Sequence, residues 1–253
     1  MTNNKNVYVF AEQREGVIQP VALELIGKAR DLADVLGDKV VAIFPGHNIA
    51  DQANELIAYG ADDVIVVDAP ELKDYVTEQY TQAVFQVITA MNPDIVLFGA
   101  TTIGRDLAPR LSARLEKGLT ADCTKLEISD GSDPKLEARK LMMTRPAFGG
   151  NLMATIICPR TRPQMSTVRP GVMQKMEAFA PLAAVIVKFS KKVRHLLTWN
   201  ALLSLFGNAT LADEMAQIVT IGPVIKQITE ENVEGSEEEK KNAGRGTSGG
   251  YRR

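Results

Sequence analysis

The stretch VALELIGKARDLADVLGDKVVAIF, residues 21–44, contains the pattern that decides the fold. Its apolar residues from Val21 to Leu36 recur three and four positions apart, which is the spacing of one helix face. Gly37 then ends the helix, and the five apolar residues 40–44 follow as a strand. An amphipathic helix that leads into a strand with two apolar faces is typical of a parallel sheet covered by helices on both sides.

The same alternation repeats over the first hundred residues. We predict three further buried strands, at 7–10, 64–67 and 95–98, and two helical stripes that end at Gly60 and Asn92. This βαβα order predicts a doubly wound α/β fold with a parallel sheet, of the nucleotide alpha-hydrolase-like or Rossmann-like kind.

A further helix is predicted from Gly104 to about Leu115, with Thr101 or Thr102 as its N-cap. From about residue 121 the pattern changes to short extended segments at 123–128, 136–144 and 153–158. The turn residues at 130–134 predict a hairpin between the first two. We therefore expect a β-rich extension that Pro170-Gly171 closes, followed by one more strand at 183–187.

The predicted domain boundaries follow from composition. Residues 1–190 form the α/β domain with its extension, and residues 191–229 form a short helical segment. Residues 230–253 have almost nothing to bury, so we expect a poorly defined, disordered tail.

Charge and composition exclude several classes of function. The chain is 45% hydrophobic and 24% charged with a net charge of −2, so a strongly basic nucleic-acid surface is not expected. The longest apolar cluster, 196–206, is too short to span a bilayer, so we expect no membrane insertion. Cys123 and Cys158 form no CxxC pair, which excludes a zinc or iron–sulfur motif. Two lone cysteines without a secretory signal predict a cytoplasmic location.

No catalytic constellation is visible in the sequence. His47 and His195 are the two histidines, and neither lies in a recognisable nucleophile or general-base motif. The acids Asp62, Asp63 and Asp68 flank a strand in a pattern typical of turns. We therefore predict that the chain is not an enzyme.

Two arginines stand in unusually stiff surroundings, in RPAFGGN (residues 145–151) and STVRPG (166–171). The proline after Arg145 or Arg169 restricts the backbone of the arginine, and the neighbouring glycines allow close approach. Such a rigid cation suits an anionic or electron-rich partner. The alternative is that both segments are surface turns with solvated arginines.

The predicted sheet also has a crevice where the strand order reverses, lined by residues 11–16 and 99–105. Neither loop contains a GxGxxG or P-loop motif. The helix that begins near Gly104 can attract an anion to its N-terminus. The alternative is a capped helix beside an empty crevice.

Two further motifs precede the arginine motifs, GRDLAPR (104–110) and GLTADCT (118–124), so that four motifs follow one another in a specific order. On these motifs the chain resembles the alpha subunit of electron transfer flavoproteins, from about residue 7 to 173. The resemblance implies an electron carrier that binds FAD as a heterodimer with a beta subunit. It also implies exchange with flavin dehydrogenases of the acyl-CoA type, as in fatty acid beta-oxidation. The resemblance further implies that this domain has a nucleotide-binding fold but binds no nucleotide itself.

The same resemblance implies roles for the two arginines. Arg145 would face the flavin of the partner subunit, where a guanidinium stabilises the negative charge of the reduced ring and raises its potential. Arg169 would have a structural role at a subunit or domain seam.

The chain departs from the family after residue 173. Members bind FAD in a second domain through an SGGRG loop that follows a buried strand. Here the nearest fragments, at 244–246 and 248–250, follow the charged run EEEKK. We therefore do not expect this chain alone to hold FAD, and a shift of reading frame near residue 190 is one hypothesis for the departure. The alternative functions are a stand-alone adenine-nucleotide binder of the universal-stress type and a scaffold subunit without its own flavin.

Overall fold

The structure is a computed structural model that describes residues 4–131, 138–150, 152–178 and 185–189, the last of these for the backbone alone. Structural statements below concern these residues. The segment predicted at 191–229, the tail predicted at 230–253, and the proposed frame shift near residue 190 lie outside them.

The described residues form twelve strands and four α-helices. The helices are α1 (Pro20–Leu36), α2 (Ala53–Ala58), α3 (Thr77–Met91) and α4 (Thr102–Leu115). The strands of the first half are β1 (Lys5–Phe10), β2 (Gln13–Arg14), β3 (Val17–Ile18), β4 (Val40–Gly46), β5 (Asp63–Asp68) and β6 (Pro93–Gly99). The strands of the second half are β7 (Leu119–Cys123), β8 (Lys125–Ile128), β9 (Leu141–Ala147), β10 (Leu152–Ile156), β11 (Gln164–Val168) and β12 (Val185–Phe189).

Seven strands form the main sheet in the order β12-β5-β4-β1-β6-β11-β7, and every neighbouring pair is parallel. The chain starts at the central strand β1, moves outward through β4 and β5, and then returns to place β6 on the other side of β1. The strand order therefore reverses between β1 and β6. This arrangement confirms the predicted doubly wound α/β fold.

Both faces of the sheet are buried, as the unbroken apolar strands required. One core lies under α1 and α2, and the other lies under α3 and α4. Every residue of β4 and β6 is buried. The helices end as predicted, because Gly37 closes α1 in the left-handed region at φ 68° and Asn92 closes α3 at φ 48°.

The β-rich extension contains the three predicted extended segments as β8, β9 and β10. They form an antiparallel sheet, which contains the predicted hairpin between β8 and β9, and β2 and β3 form a second, two-stranded antiparallel sheet. Strands β7 and β11 instead belong to the main parallel sheet. The apolar pattern missed β11 because its buried residues include the polar Gln164, Ser166 and Thr167.

Those polar groups are partly paired inside the fold. Gln164 Oε1 accepts a hydrogen bond from the backbone nitrogen of Leu141 at 2.8 Å, and Thr167 Oγ1 accepts one from the backbone nitrogen of Asp122 at 2.9 Å. Local hydrophobicity does not reveal such a strand, because its burial depends on partners far along the chain. The strand predicted at 183–187 is present as β12, beside β5.

Candidate functional site

The main sheet and the small sheet meet at a bend between β7 and β8. Asp122 has a positive φ of 61° there, and the chain passes through Thr124 into the antiparallel sheet. The backbone nitrogen of Thr124 donates to the carbonyl of Thr144 on β9 at 2.9 Å. The end of β7 is thereby held next to β9, the strand that contains Arg145.

Arg169 closes this junction from the end of β11. Its Nε and Nη2 donate to the two carboxylate oxygens of Asp122 at 3.1 and 2.6 Å, and its backbone nitrogen donates to the carbonyl of Cys123 at 2.9 Å. Two parallel contacts between a guanidinium and a carboxylate fix direction as well as distance. These hydrogen bonds hold the pKa of Asp122 below its usual range.

Two further arginines act on the same carboxylate. The positive charges of Arg105 and Arg145 also lower the pKa of Asp122, although neither donates a hydrogen bond to it. We call Arg105, Asp122, Arg145 and Arg169 the charged cluster. Three guanidinium groups around one carboxylate leave two positive charges in excess, in a chain whose net charge is −2.

The charged cluster unites the four sequence motifs. Each of GRDLAPR, GLTADCT, RPAFGGN and STVRPG contributes one of its members. The motifs are separated in sequence, but three of them lie at the carboxyl ends of β7, β9 and β11, and GRDLAPR lies in α4, the helix that follows β6. The motif residues therefore serve one location in the fold.

Arg145 and Arg105 are the cations of this cluster that remain without a direct partner. Arg145 is half-buried on β9, opposite Ala154 of β10, and its guanidinium has no hydrogen bond or ion pair within the described part of the chain. The Arg105 side chain likewise lacks both within that part. Arg105 also lies in the first turn of α4, where the helix dipole disfavours a cation. Helix stability therefore does not explain its position.

The crevice between β1 and β6 is filled by a side chain of the protein. Glu12, fully buried, accepts hydrogen bonds from Arg14 Nε and Nη2 at 3.1 and 2.9 Å and from the hydroxyl of Thr101. Thr101 is also the N-cap of α4 and accepts from the backbone nitrogen of Gly104 at 3.0 Å. A carboxylate thus lies beside the helix terminus where a phosphate would otherwise bind.

The start of α4 is pressed against the end of β6. A Cβ added at Gly104 would lie 1.8 Å from the carbonyl oxygen of Gly99. Gly104 is therefore required for this close approach of α4 to the end of β6.

The other candidate residues have structural surroundings. Asp62 accepts from Arg30 Nη1 and from the backbone nitrogen of Val40, both at 2.7 Å, and Asp68 accepts from the backbone nitrogen of Asn48 at 2.9 Å. His47 Nδ1 lies 3.6 Å from Oδ1 of Asp68. His195 lies outside the described residues.

Two classes of feature are missing from the described residues. No group of three or more His, Cys, Asp and Glu side chains there could hold a metal ion. None of the helices described is long and apolar enough to cross a membrane.

Sequence reasoning singled out Arg145 but assigned no role to Arg105, Asp122 or Glu12. The available signal was that Arg105 and Asp122 are charged residues inside two of the recognised motifs. Glu12 had a weaker signal, since it is an acid two residues after the buried strand β1.

Fold and site together define a class of protein, an α/β domain of the nucleotide-binding type. Its crevice holds the carboxylate of Glu12, and its excess positive charge lies at the junction between β7 and β8. A family model described as the electron transfer flavoprotein domain matches residues 7–193. The chain belongs to the electron transfer flavoprotein family, which confirms the resemblance seen in the four motifs.

Individual relatives are electron transfer subunits. The chain is 48% identical over 193 residues to electron transfer flavoprotein subunit alpha of Thermoanaerobacterium thermosaccharolyticum, covering 76% of this chain and 56% of that protein. It is 51% identical over 190 residues to acryloyl-CoA reductase electron transfer subunit beta of Anaerotignum propionicum, covering 68% and 52%. It is 48% identical over 173 residues to lactate dehydrogenase (NAD(+),ferredoxin) subunit LctC of Acetobacterium woodii, covering 68% and 40%. The chain thus spans about half the length of these relatives.

Proposed function

We propose that the chain is an electron-carrier subunit of the alpha type, which acts in a heterodimer with a beta subunit and has no substrate turnover of its own. The observation that carries this proposal is the convergence of the four motifs on one charged cluster in which Arg145 has no partner among the described residues. An excess of two guanidinium charges at an exposed junction suits an anionic or electron-rich group supplied from outside the described residues.

The group we propose is the flavin, FAD, held by the partner subunit. A bound flavin supplies the reversible uptake of electrons. A guanidinium directs several donors in one plane, so Arg145 would stabilise negative charge on the reduced ring. Within the described residues its donors are not used by any other group, which is the fit this role requires. Binding of a second FAD by this chain is not part of the proposal.

The surface beside Arg145 supports a partner chain at this location. Strand β10 is the outer strand of the small sheet and pairs with β9 at Arg145. Its Leu152 and Met153 are 59% and 58% exposed, which is unusual for large apolar side chains on adjacent positions. We propose that the beta subunit covers this strand, since the flavin near Arg145 would come from the same subunit.

The redox partners are proposed from chemistry shared with the relatives. Flavin dehydrogenases of the acyl-CoA type are the proposed donors, with fatty acid beta-oxidation as the process. The names of two relatives refer to acryloyl-CoA reductase and lactate dehydrogenase complexes. A cytoplasmic location is proposed as well, because Cys123 and Cys158 are both free thiols.

Replacing Arg145 in the reconstituted heterodimer tests the proposal. Arg145→Ala removes a charge-assisted hydrogen bond worth about 1.5–3 kcal/mol to the reduced flavin. The midpoint potential should fall by some tens of millivolts for a two-electron couple. Arg145→Lys is the matched control, which keeps the charge and loses the planar donors, and it should give a smaller fall. Spectroelectrochemical titration measures both, and an unchanged potential in Arg145→Ala would favour the scaffold alternative.

The stand-alone nucleotide binder is the competing function, and the strand–helix order alone supports it. Glu12 opposes it, because its carboxylate and the Thr101 hydroxyl already use the hydrogen-bonding groups at the start of α4 where a phosphate would bind. Equilibrium dialysis of the isolated chain with AMP and ATP should therefore detect no binding at micromolar concentrations. Tight binding without a partner would favour the universal-stress type of function instead.

A further inference from the structure

Asp122 is held at the end of β7 by hydrogen bonds of both its carboxylate and its backbone. Both of its carboxylate oxygens accept hydrogen bonds from Arg169, and its backbone nitrogen donates to Thr167 Oγ1 at 2.9 Å. The backbone hydrogen bond from Thr124 to the carbonyl of Thr144, at 2.9 Å, brings this end of β7 beside Arg145, whose charge acts on the same carboxylate together with that of Arg105. The position of Asp122 is thus determined by β11, and its charge acts on β9 and α4.

The charge balance of the cluster depends on this pair. Asp122 and Arg169 together are neutral, so the excess charge equals that of Arg105 and Arg145. Removing Asp122 alone adds one positive charge to the cluster, and removing Arg169 alone subtracts one. Removing both leaves the excess unchanged. Charges a few ångströms apart near a protein surface interact by energies that a redox potential readily reports.

We propose that Asp122, held in place by Arg169, limits the positive charge that the charged cluster presents to a flavin at this junction. This inference rests on the proposed function, since the flavin is the one held by the partner subunit. The carboxylate offsets part of the field of Arg105 and Arg145. A flavin beside the cluster therefore has a lower midpoint potential than it would have beside three unopposed arginines.

The test is a set of charge variants measured in the flavin-loaded heterodimer. Asp122→Asn preserves the shape of the side chain, and asparagine tolerates the positive φ of 61° at this position. The midpoint potential should shift upward in Asp122→Asn and downward in Arg169→Gln. The double variant, Asp122→Asn with Arg169→Gln, should lie between the two single variants and close to the wild type. Gel filtration and the flavin absorption bands establish that each variant assembles and retains flavin.

The pattern of signs separates an electrostatic role from a structural one. A role confined to the bend would make the potential respond equally to all three variants or to none, and either result would overturn the inference. If Asp122→Asn fails to assemble, Arg169→Gln carries the same test with the opposite sign. The proposed function is tested separately by Arg145→Ala. A fall in potential there with no response at Asp122 or Arg169 rejects this inference alone, whereas no response in any variant rejects both.

Discussion

Asp122 shows how one residue can link the local backbone to the charge of a whole site. Its positive φ turns the chain out of the main sheet, and three arginines lower the pKa of its carboxyl group. The pKa of Asp122 is lowered, chiefly by hydrogen bonds from Arg169. Its contribution to stability is therefore present above the ordinary carboxyl pKa and is lost as the pH falls through the folded-state value. Because the pair is exposed, this contribution is small, at most about 1 kcal/mol.

The two cysteines should differ sharply in reactivity. Burial raises the pKa of the Cys123 thiol to about 12, and its Sγ lies 3.6 Å from the carbonyl of Thr120. At pH 8 its thiolate fraction is then lower by about a thousandfold than that of an unperturbed thiol. Cys158 is half-buried, and burial raises its pKa as well, but to a lesser extent.

Alkylation of the native protein at pH 8, followed by mass spectrometry, should label Cys158 first and Cys123 only after unfolding. The variant Cys158→Ser is the control and should show almost no labelling in the folded state. Labelling of Cys123 at a comparable rate in the native protein would contradict this prediction.

Helix α4 is the element on which both the crevice and the charged cluster depend. Its N-cap Thr101 connects the backbone of Gly104 to the buried carboxylate of Glu12. The next turn presents Arg105 to Asp122. One helix terminus therefore contributes residues both to the crevice and to the charged cluster.

Replacing the cap should destabilise the fold measurably. Thr101→Ala removes the N-cap acceptor and also deprives buried Glu12 of a donor, so we expect the free energy of unfolding to fall by about 2 kcal/mol, near the upper end for caps. Thr101→Ser keeps the hydroxyl and should cost less than about half of that. Urea denaturation followed by circular dichroism measures both. Equal losses in the two variants would show that the methyl group, and not the hydroxyl, is the important part.

At the scale of the whole molecule, the parallel sheet gathers four distant segments at one location. The carboxyl ends of β6, β7 and β11 lie at the same edge of the sheet, and β9 joins them through the bend after β7. Strand β10 pairs with β9 at Arg145, so its exposed apolar residues lie on the strand next to the one that carries Arg145. This is the surface that we assign to the beta subunit.

Charge introduced on β10 should weaken the heterodimer. Leu152→Lys places an ammonium group where we expect an apolar contact, so the Kd for the beta subunit should rise by about tenfold or more. Val35→Lys is the matched control, because Val35 is 69% exposed on α1 and does not belong to this surface. Isothermal titration calorimetry measures both variants. An equal effect in the two, or no effect of Leu152→Lys, would place the interface elsewhere.

The fold class and the family could be read from the sequence alone, and the sequence also led us to predict a role for Arg145. An unbroken apolar run such as 40–44 indicates a strand that is buried on both faces, and the residue that ends a helix such as α1 follows it directly in the sequence. These features can therefore be recognised from short stretches of sequence. Motif residues such as Arg145 are recognisable for the same reason.

Only the tertiary structure decided which residues surround Arg145 and where β7 and β11 lie. Strand β11 is buried although it carries Gln164 and Ser166, and its place beside β6 depends on pairing across dozens of residues. The meeting of Arg105 and Asp122 with Arg145 likewise depends on sheet order and register. The periodicity of apolar residues indicates which positions are buried. Which side chains lie beside a charged residue depends on long-range packing, and a local sequence pattern does not reveal it.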